Sequence, residues 1–344
     1  MLTSRRRQSL THVTTRRFLL SASGLVRVAA LLRAQEPAPA PKLSLRGQFG
    51  FESKLWPNLH HFLYVLARSL TQAPDRLRIA VRDAPMDRRG FDALPAAMRA
   101  DWEAAVAAYL ADAAPLDIDR GKLVDVNYAL ADLAPDAPIA KAAEIPATLR
   151  SALEKAEPAY AALWWSRHNA ANRAWVQQLL PQIERYGPAI AGRLTAAFQH
   201  PLPSAPVRVE VVAYASWAGA YTTFDPDLIT ISSLNPEHRD VYGVEQLFHE
   251  CSHLMMDTVD AALKSHAAAL GKPLPRDVSH TMLFYTVGEA VRGAVPEHVP
   301  YAVQFGVWQR GWTKHYELLK LYWQPYLDGA VKMDQAIDQL LRAL

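Results

Sequence analysis

The sequence predicts an α+β fold that is mainly α-helical with a small β-sheet. Apolar residues recur at helical spacing over most of residues 53–200 and again from residue 241 onward. Between these regions, the valine-rich stretch "PVRVEVVAYAS" alternates as a β-strand does. The chain has 344 residues, of which 50% are hydrophobic and 21% charged, so it can bury one large core or two smaller ones.

The first 34 residues are basic and weakly apolar. They carry no acidic residue and seven arginines: Arg5, Arg6, Arg7, Arg16, Arg17, Arg27 and Arg33. Arg16 and Arg17 stand directly before the apolar residues 18–32, an arrangement that resembles a twin-arginine export signal. We therefore expect a twin-arginine-type signal peptide over residues 1–34 and a Pro/Ala linker over residues 35–45. The twin-arginine machinery of a bacterium would export such a protein to the periplasm or the medium.

Charge and composition exclude several classes of partner. The formal net charge is only +3, and much of the excess lies in the arginine-rich leader, so the remaining chain has no basic footprint for nucleic acid. The chain has no run of about 18 apolar residues, and we expect no stable membrane span after signal cleavage. Cys251 is the single cysteine, which excludes an intramolecular disulfide bond.

Residues 46–200 are predicted to form a helical N-terminal region. The first helix begins near Asn58, whose side chain is a candidate N-cap. An alanine-rich helix follows, and a third helical run covers residues 146–199. We expect this run to break near Pro181 and at "YGPA", residues 186–189, because proline lacks the backbone N–H that a helix interior uses.

The first helix carries two adjacent histidines, His60 and His61. Neighbouring side chains on a helix point about 100° apart, so the two imidazoles cannot easily bind one metal ion. We interpret them as core or surface histidines. The alternative is that one of them lines a cleft between the two halves of the chain.

Residues 201–344 are predicted to form a second domain. Two short strands, "PVRVEVVAYAS" and "LITIS", are separated by a turn at "DPD". Helical periodicity then resumes in five segments: residues 241–258, 259–270, 277–293, 301–321 and 331–343.

The first of these segments contains "EQLFHECSHLMMD", residues 245–257. His249 and His253 are four residues apart and lie on one face of a helix, so both imidazoles can bind one Zn²⁺ ion. Glu250 stands beside the first histidine, where it can take a proton from an attacking water as a general base. Glu245 and Asp257 lie one turn to either side, and either could orient a ligand imidazole through its second nitrogen.

A catalytic zinc ion needs a third protein ligand. The main candidate is Glu289, a carboxylate in the apolar stretch "HTMLFYTVGEAVRGAVP", where burial is costly unless it binds metal or pairs with Arg292. His280, 27 residues after His253, is the alternative ligand. Three other histidines are weaker candidates: His266, His298 and His315.

The motif His-Glu-x-x-His followed by a "GEA" glutamate resembles the gluzincin, or thermolysin-like, zinc metallopeptidases. The resemblance covers roughly residues 205–320 and implies a zincin-like catalytic domain within residues 201–344. Gluzincins of the thermolysin type carry an acidic residue four positions beyond the glutamate ligand, whereas this sequence has Gly293 there. In those enzymes a sheet edge before the helix binds extended substrate, and "WAGAYTTF", residues 217–224, resembles this edge strand. An ordinary hairpin is the alternative.

The sequence thus predicts an exported metallopeptidase that binds one catalytic Zn²⁺ through His249, His253 and Glu289, with Glu250 as base and a peptide or protein as substrate. The donor that stabilises the oxyanion stays open among five downstream side chains: Tyr285, His298, Tyr301, His315 and Tyr316. The alternative is an exported binding or structural protein whose zinc site is degenerate or purely structural.

Overall fold

The computed structural model describes residues 47–71, 85–135 and 137–344, which belong to one compact unit, Leu43–Leu344. The predicted signal peptide and linker lie outside the described residues. The fold is mainly helical with one four-stranded mixed sheet, which confirms the α+β prediction in this coarse form.

The N-terminal helices share one hydrophobic core. Their bounds are α1 Leu55–Ser69, α2 Pro85–Asp92, α3 Ala96–Asp112, α4 Lys122–Asp132 and α5 Ala147–Tyr160. α3 and α5 pack closely on each other and on α1.

Asn58 lies inside α1 and is not its cap: its side chain donates to the backbone oxygen of Val211 and accepts from the amide of Ala213. The predicted cap is wrong because this buried amide joins α1 to the sheet.

A long helix, α6, runs from Ser166 to Phe198 through both Pro181 and Pro188. The predicted breaks are therefore wrong. Proline in a helix interior costs about 3 kcal/mol. A buried row that includes Leu179, Ile190 and Leu194 offsets that cost, since each fully buried aliphatic side chain contributes about 1.5–3 kcal/mol.

The sheet has the strand order β1-β2-β4-β3. The strands are β1 Phe49–Glu52, β2 Val207–Val212, β3 Ala220–Thr223 and β4 Leu228–Ser232. β1 and β2 are parallel, β2 and β4 are parallel, and β3 is antiparallel to β4. The sequence prediction missed β1, a four-residue strand in a region expected to be helical. β3 is an edge strand of this sheet.

The C-terminal helices pack against the sheet and α6. Their bounds are α7 Val241–Ser252, α8 Asp257–Ala269, α9 Val278–Ala294, α10 Tyr301–Gln304, α11 Thr313–Leu318, α12 Gln324–Leu327 and α13 Met333–Ala343. The predicted helix over 241–258 ends at Ser252 and passes through a 3₁₀ turn, His253–Met255. The predicted helix over 301–321 is divided, because Gly306 and Gly311 adopt positive φ angles of 63° and 117°.

Two hydrophobic cores lie within this unit, and each contains residues from both sides of residue 200. Phe49 and Trp175 belong to the core of the C-terminal helices, whereas Val212 and Tyr221 belong to the core of the N-terminal helices. Strands from both regions also share one sheet. Among the described residues, no helix is both long and apolar enough to cross a membrane.

Candidate metal centre

A cleft of about 1090 Å³ opens beside the sheet edge. One wall consists of β3 and the start of α4, and the base and other wall consist of α7, the start of α9 and the loop before it. Gly219 leads into β3 with φ 87°, and a Cβ atom there would lie 2.3 Å from the side chain of Asn235. Glycine is therefore required for the turn that brings β3 to the cleft.

Three histidines meet at the base of the cleft: His249, His253 and His280. Their candidate ligand nitrogens all lie within 4.8 Å of one another. His249 belongs to the buried helix α7, His253 follows it in the 3₁₀ turn, and His280 stands in the first turn of α9. The helical spacing of the first two residues predicted their common face, and the packing of α9 on α7 adds the third.

The spacing of these nitrogens fits a metal ion. Nε2 of His249 lies 3.4 Å from Nε2 of His280. A tetrahedral zinc ion with Zn–N bonds of about 2.0–2.1 Å separates its ligand nitrogens by about 3.3–3.4 Å. Nδ1 of His249 is buried and has no hydrogen-bond partner among the described residues. The Nε2 atom of this imidazole faces His280.

Burial keeps the three imidazoles neutral, which is the form that binds metal. It lowers the pKa of His253 to about 3, and it lowers the pKa of His249 and His280 as well. Phe284 packs on this group, with its ring centroid 4.0 Å from that of His249 and 4.9 Å from that of His280. Trp312 lies across the other edge of His280 at 5.6 Å. The aromatic rings hold the imidazoles in place.

Glu250 lies next to the histidines and lines the same cleft. It is only 4% exposed, and its carboxylate oxygen Oε2 accepts a hydrogen bond of 2.8 Å from the hydroxyl of Thr222 on β3. Burial raises the pKa of Glu250 to about 8, and the donation from Thr222 opposes that rise. A buried carboxyl group with a raised pKa beside a possible metal cluster is a candidate for proton transfer.

The structure does not bring Glu289 to the histidine pair. Its carboxylate accepts a hydrogen bond of 3.1 Å from Nε of Arg292 and lines a separate cavity of about 710 Å³. His280 and Glu289 are nine residues apart on α9, which is about two and a half helical turns, so they face opposite sides. His280, the alternative candidate, lies beside His249 and His253, where the sequence analysis expected Glu289.

The two acidic residues that the sequence analysis expected to orient the ligand histidines lie away from the cleft. Glu245 is buried, and its carboxylate accepts from Nε2 of His298 at 2.6 Å and from the amide of Tyr301 at 2.9 Å. Asp257 is exposed at the start of α8. Glu245 thus fastens the segment after α9 to α7 and does not contact a histidine of the cleft.

The five candidate oxyanion donors also lie elsewhere. Tyr301 donates to Glu237, Tyr285 donates to Gln324, and Tyr316 stacks on Trp308. His298 binds Glu245, and neither it nor His315 lines the cleft. His266 is near Asp334 on the surface.

Polar side chains that the sequence prediction did not single out line the cleft: Arg120, Thr222, Gln246, Arg276 and Ser279. For two of these residues, the sequence already indicated a place near the candidate site. Gln246 stands four residues before Glu250 on the same helix face, and Thr222 lies in the quoted edge strand. Comparisons with protein-family models, with curated proteins and with solved structures found no match.

Proposed function

We propose that the protein is a zinc-dependent metallopeptidase in which His249, His253 and His280 bind one Zn²⁺ ion and Glu250 is the general base. The observation that carries this proposal is the convergence of three neutral imidazoles beside a buried carboxylate at the base of an open cleft. A purely structural zinc site has four protein ligands and no need of an adjacent base, whereas a catalytic site has three ligands and keeps one position open.

Zinc is the metal that this donor set favours. Imidazole ligands suit zinc and several transition metals, and a site of three histidines with an open position is a known catalytic zinc arrangement. When bound, zinc polarises the scissile carbonyl and lowers the pKa of its water to about 7.

The chain's own residues supply the proton transfers. The carboxylate of Glu250 accepts the proton of the attacking water and passes it to the leaving nitrogen of the amide. The cleft has further donors at its walls, including the guanidinium groups of Arg120 and Arg276 and the amide of Gln246. These are the candidates for stabilising the oxyanion, in place of the five residues named from the sequence.

A peptide is the substrate that the cleft suits best. β3 has a partner strand on one side only and borders the cleft, so an extended peptide can add to the sheet there. The resemblance to gluzincins supports this proposal through the motif His-Glu-x-x-His alone, because the ligand on the second helix is a histidine here. We also propose export by the twin-arginine route, which the arginines of the leader support.

The proposal is tested by metal content and by peptide digestion. The purified protein should bind one zinc ion per chain and cleave members of a peptide library. Glu250→Gln should retain the zinc and lose about 10²–10⁴-fold in kcat, the usual contribution of a general base. Chelation should abolish cleavage and zinc should restore it.

Three results would contradict the proposal. If the purified protein binds no zinc, the proposed metal site is wrong. If the zinc-loaded Glu250→Gln variant cleaves peptides as fast as the wild type, the proposed role of Glu250 is wrong. A zinc-loaded protein with no hydrolytic activity on any peptide would favour the non-catalytic alternative.

A further inference from the structure

We propose that Thr222 is a positioning residue: its hydroxyl orients Glu250, and its backbone is part of the edge to which the substrate adds. This inference rests on the proposed function, since it connects the general base to the peptide-binding strand. It assigns a role to a side chain outside the His-Glu-x-x-His motif.

The hydroxyl of Thr222 lies 2.8 Å from the carboxylate oxygen Oε2 of Glu250 and 2.9 Å from the main-chain oxygen of the same residue. A threonine hydroxyl has one proton to donate. The main-chain oxygen already accepts from the amide of His253, and a carboxylate is the stronger acceptor. The proton therefore goes to Oε2, which fixes the rotation of the carboxylate and leaves Oε1 for the attacking water.

The backbone of Thr222 faces the open side of the sheet. In an antiparallel pair, residues whose peptide groups bond the neighbouring strand alternate with residues whose peptide groups point away. Gly219 accepts from the amide of Ser232 next to β4, so the alternation directs the peptide groups of Ala220 and Thr222 outward. A peptide that adds to β3 would therefore bond to the residue that holds the base.

The other face of β3 is anchored by a buried hydrogen-bond chain. The hydroxyl of Tyr221 lies 2.6 Å from Nε2 of His61 and 3.1 Å from the amide nitrogen of Asn127. Nδ1 of His61 lies 2.7 Å from the carbonyl oxygen of Pro57, so Nδ1 carries the proton and Tyr221 donates to Nε2. Tyr221 fixes the strand from the N-terminal core while Thr222 meets Glu250 on the opposite face.

Two substitutions at Thr222 separate the hydroxyl from the shape of the side chain. Thr222→Val removes the hydroxyl at nearly constant volume and should lower kcat by about 10–100-fold, the worth of a hydrogen bond to a charged group. Thr222→Ser keeps the hydroxyl and should restore most of kcat. KM and zinc content should change little in both variants, because neither changes a metal ligand or the backbone of β3.

Thr223→Val is the matched control. It removes a neighbouring hydroxyl, which donates to the main-chain oxygen of Leu228 at 3.3 Å and does not meet Glu250. Its effect on kcat should be clearly smaller than that of Thr222→Val. Equal losses in the two variants would mean that strand stability and not the Glu250 contact is responsible, and would overturn the inference.

An infrared measurement tests the contact without any turnover. The carboxyl band of Glu250 is the one that disappears in Glu250→Gln, and it should shift in Thr222→Val but not in Thr223→Val. An unshifted band overturns the inference even in an active enzyme. If the zinc-loaded wild-type protein cleaves no peptide, the proposed function fails, while the band shift still decides whether Thr222 orients the carboxylate.

Discussion

Two groups of histidines, one buried in the N-terminal core and one lining the cleft, differ in their partners. In the N-terminal core, Nδ1 of His60 bonds Tyr109, and Nε2 of His60 has no hydrogen-bond partner among the described residues. Both nitrogens of His61 have partners, and Nδ1 of His168 bonds Tyr160. In the cleft, Nε2 of His249 faces Nε2 of His280 at 3.4 Å, and Nδ1 of His249 has no partner within the described ranges.

The difference shows that burial alone does not identify a ligand. Burial lowers the pKa of the histidines in both groups, to about 4 for His61 and to about 3 for His168 and His253. What distinguishes the cleft is that nitrogens of three imidazoles lie within 4.8 Å of one another. This spacing allows one metal ion to contact the unprotonated nitrogen of each imidazole.

The strongest test of this comparison replaces each of the two candidate third ligands by alanine in turn. His280→Ala should weaken zinc binding by about a thousandfold, a share of the roughly 10–16 kcal/mol that a full set of zinc ligands provides. Glu289→Ala should leave zinc affinity unchanged, because its carboxylate pairs with Arg292. Zinc titration against a competing chelator measures both. If Glu289→Ala lost more zinc affinity than His280→Ala, Glu289 would be the third ligand.

The second test compares two buried histidines in the absence of metal. His61→Ala should lower the free energy of unfolding by about 3–4 kcal/mol, because the hydroxyl of Tyr221 and the carbonyl of Pro57 lose their partner. His249→Ala should cost less in zinc-free protein, since Nδ1 of His249 has no partner to lose. Urea unfolding in the presence of chelator measures both values. Zinc binding should survive in His61→Ala and fail in His249→Ala.

The smallest expected effect is a pH dependence of the N-terminal core. Burial, helped by the charge of Arg167, lowers the pKa of His168 to about 3, so the folded protein keeps this imidazole neutral. The unfolded chain takes up a proton near pH 6.5. The stabilisation is therefore complete above about pH 6.5 and is lost as the pH falls towards 3.

His168→Asn keeps a polar group beside Tyr160 and removes this titration. Between pH 7 and pH 4, the zinc-free wild type should lose about 2–3 kcal/mol more of its free energy of unfolding than the variant. Urea unfolding at the two pH values gives the difference. Parallel losses in both proteins would show that His168 does not titrate between its folded and unfolded states in this range.

Local pattern was sufficient for much of the architecture. The valine-rich stretch and "LITIS" are strands, and the helices around residues 60, 100, 265 and 285 lie where the periodicity predicted them. The failures have tertiary causes. β1 is too short to show a clear period, and it forms because β2 offers a parallel partner. α6 continues through its prolines because its row of buried aliphatic side chains packs in the C-terminal core.

The sequence by itself determined that His249 and His253 share one face with Glu250 beside them, because helical spacing is a local property of the backbone. Only the tertiary structure decided which residue joins them. His280 and Glu289 lie on one helix, and the way α9 packs on α7 directs one face to the cleft and the other to a separate cavity. The contact between Thr222 and Glu250 likewise depends on the placement of β3 at the sheet edge, 28 residues away in the chain.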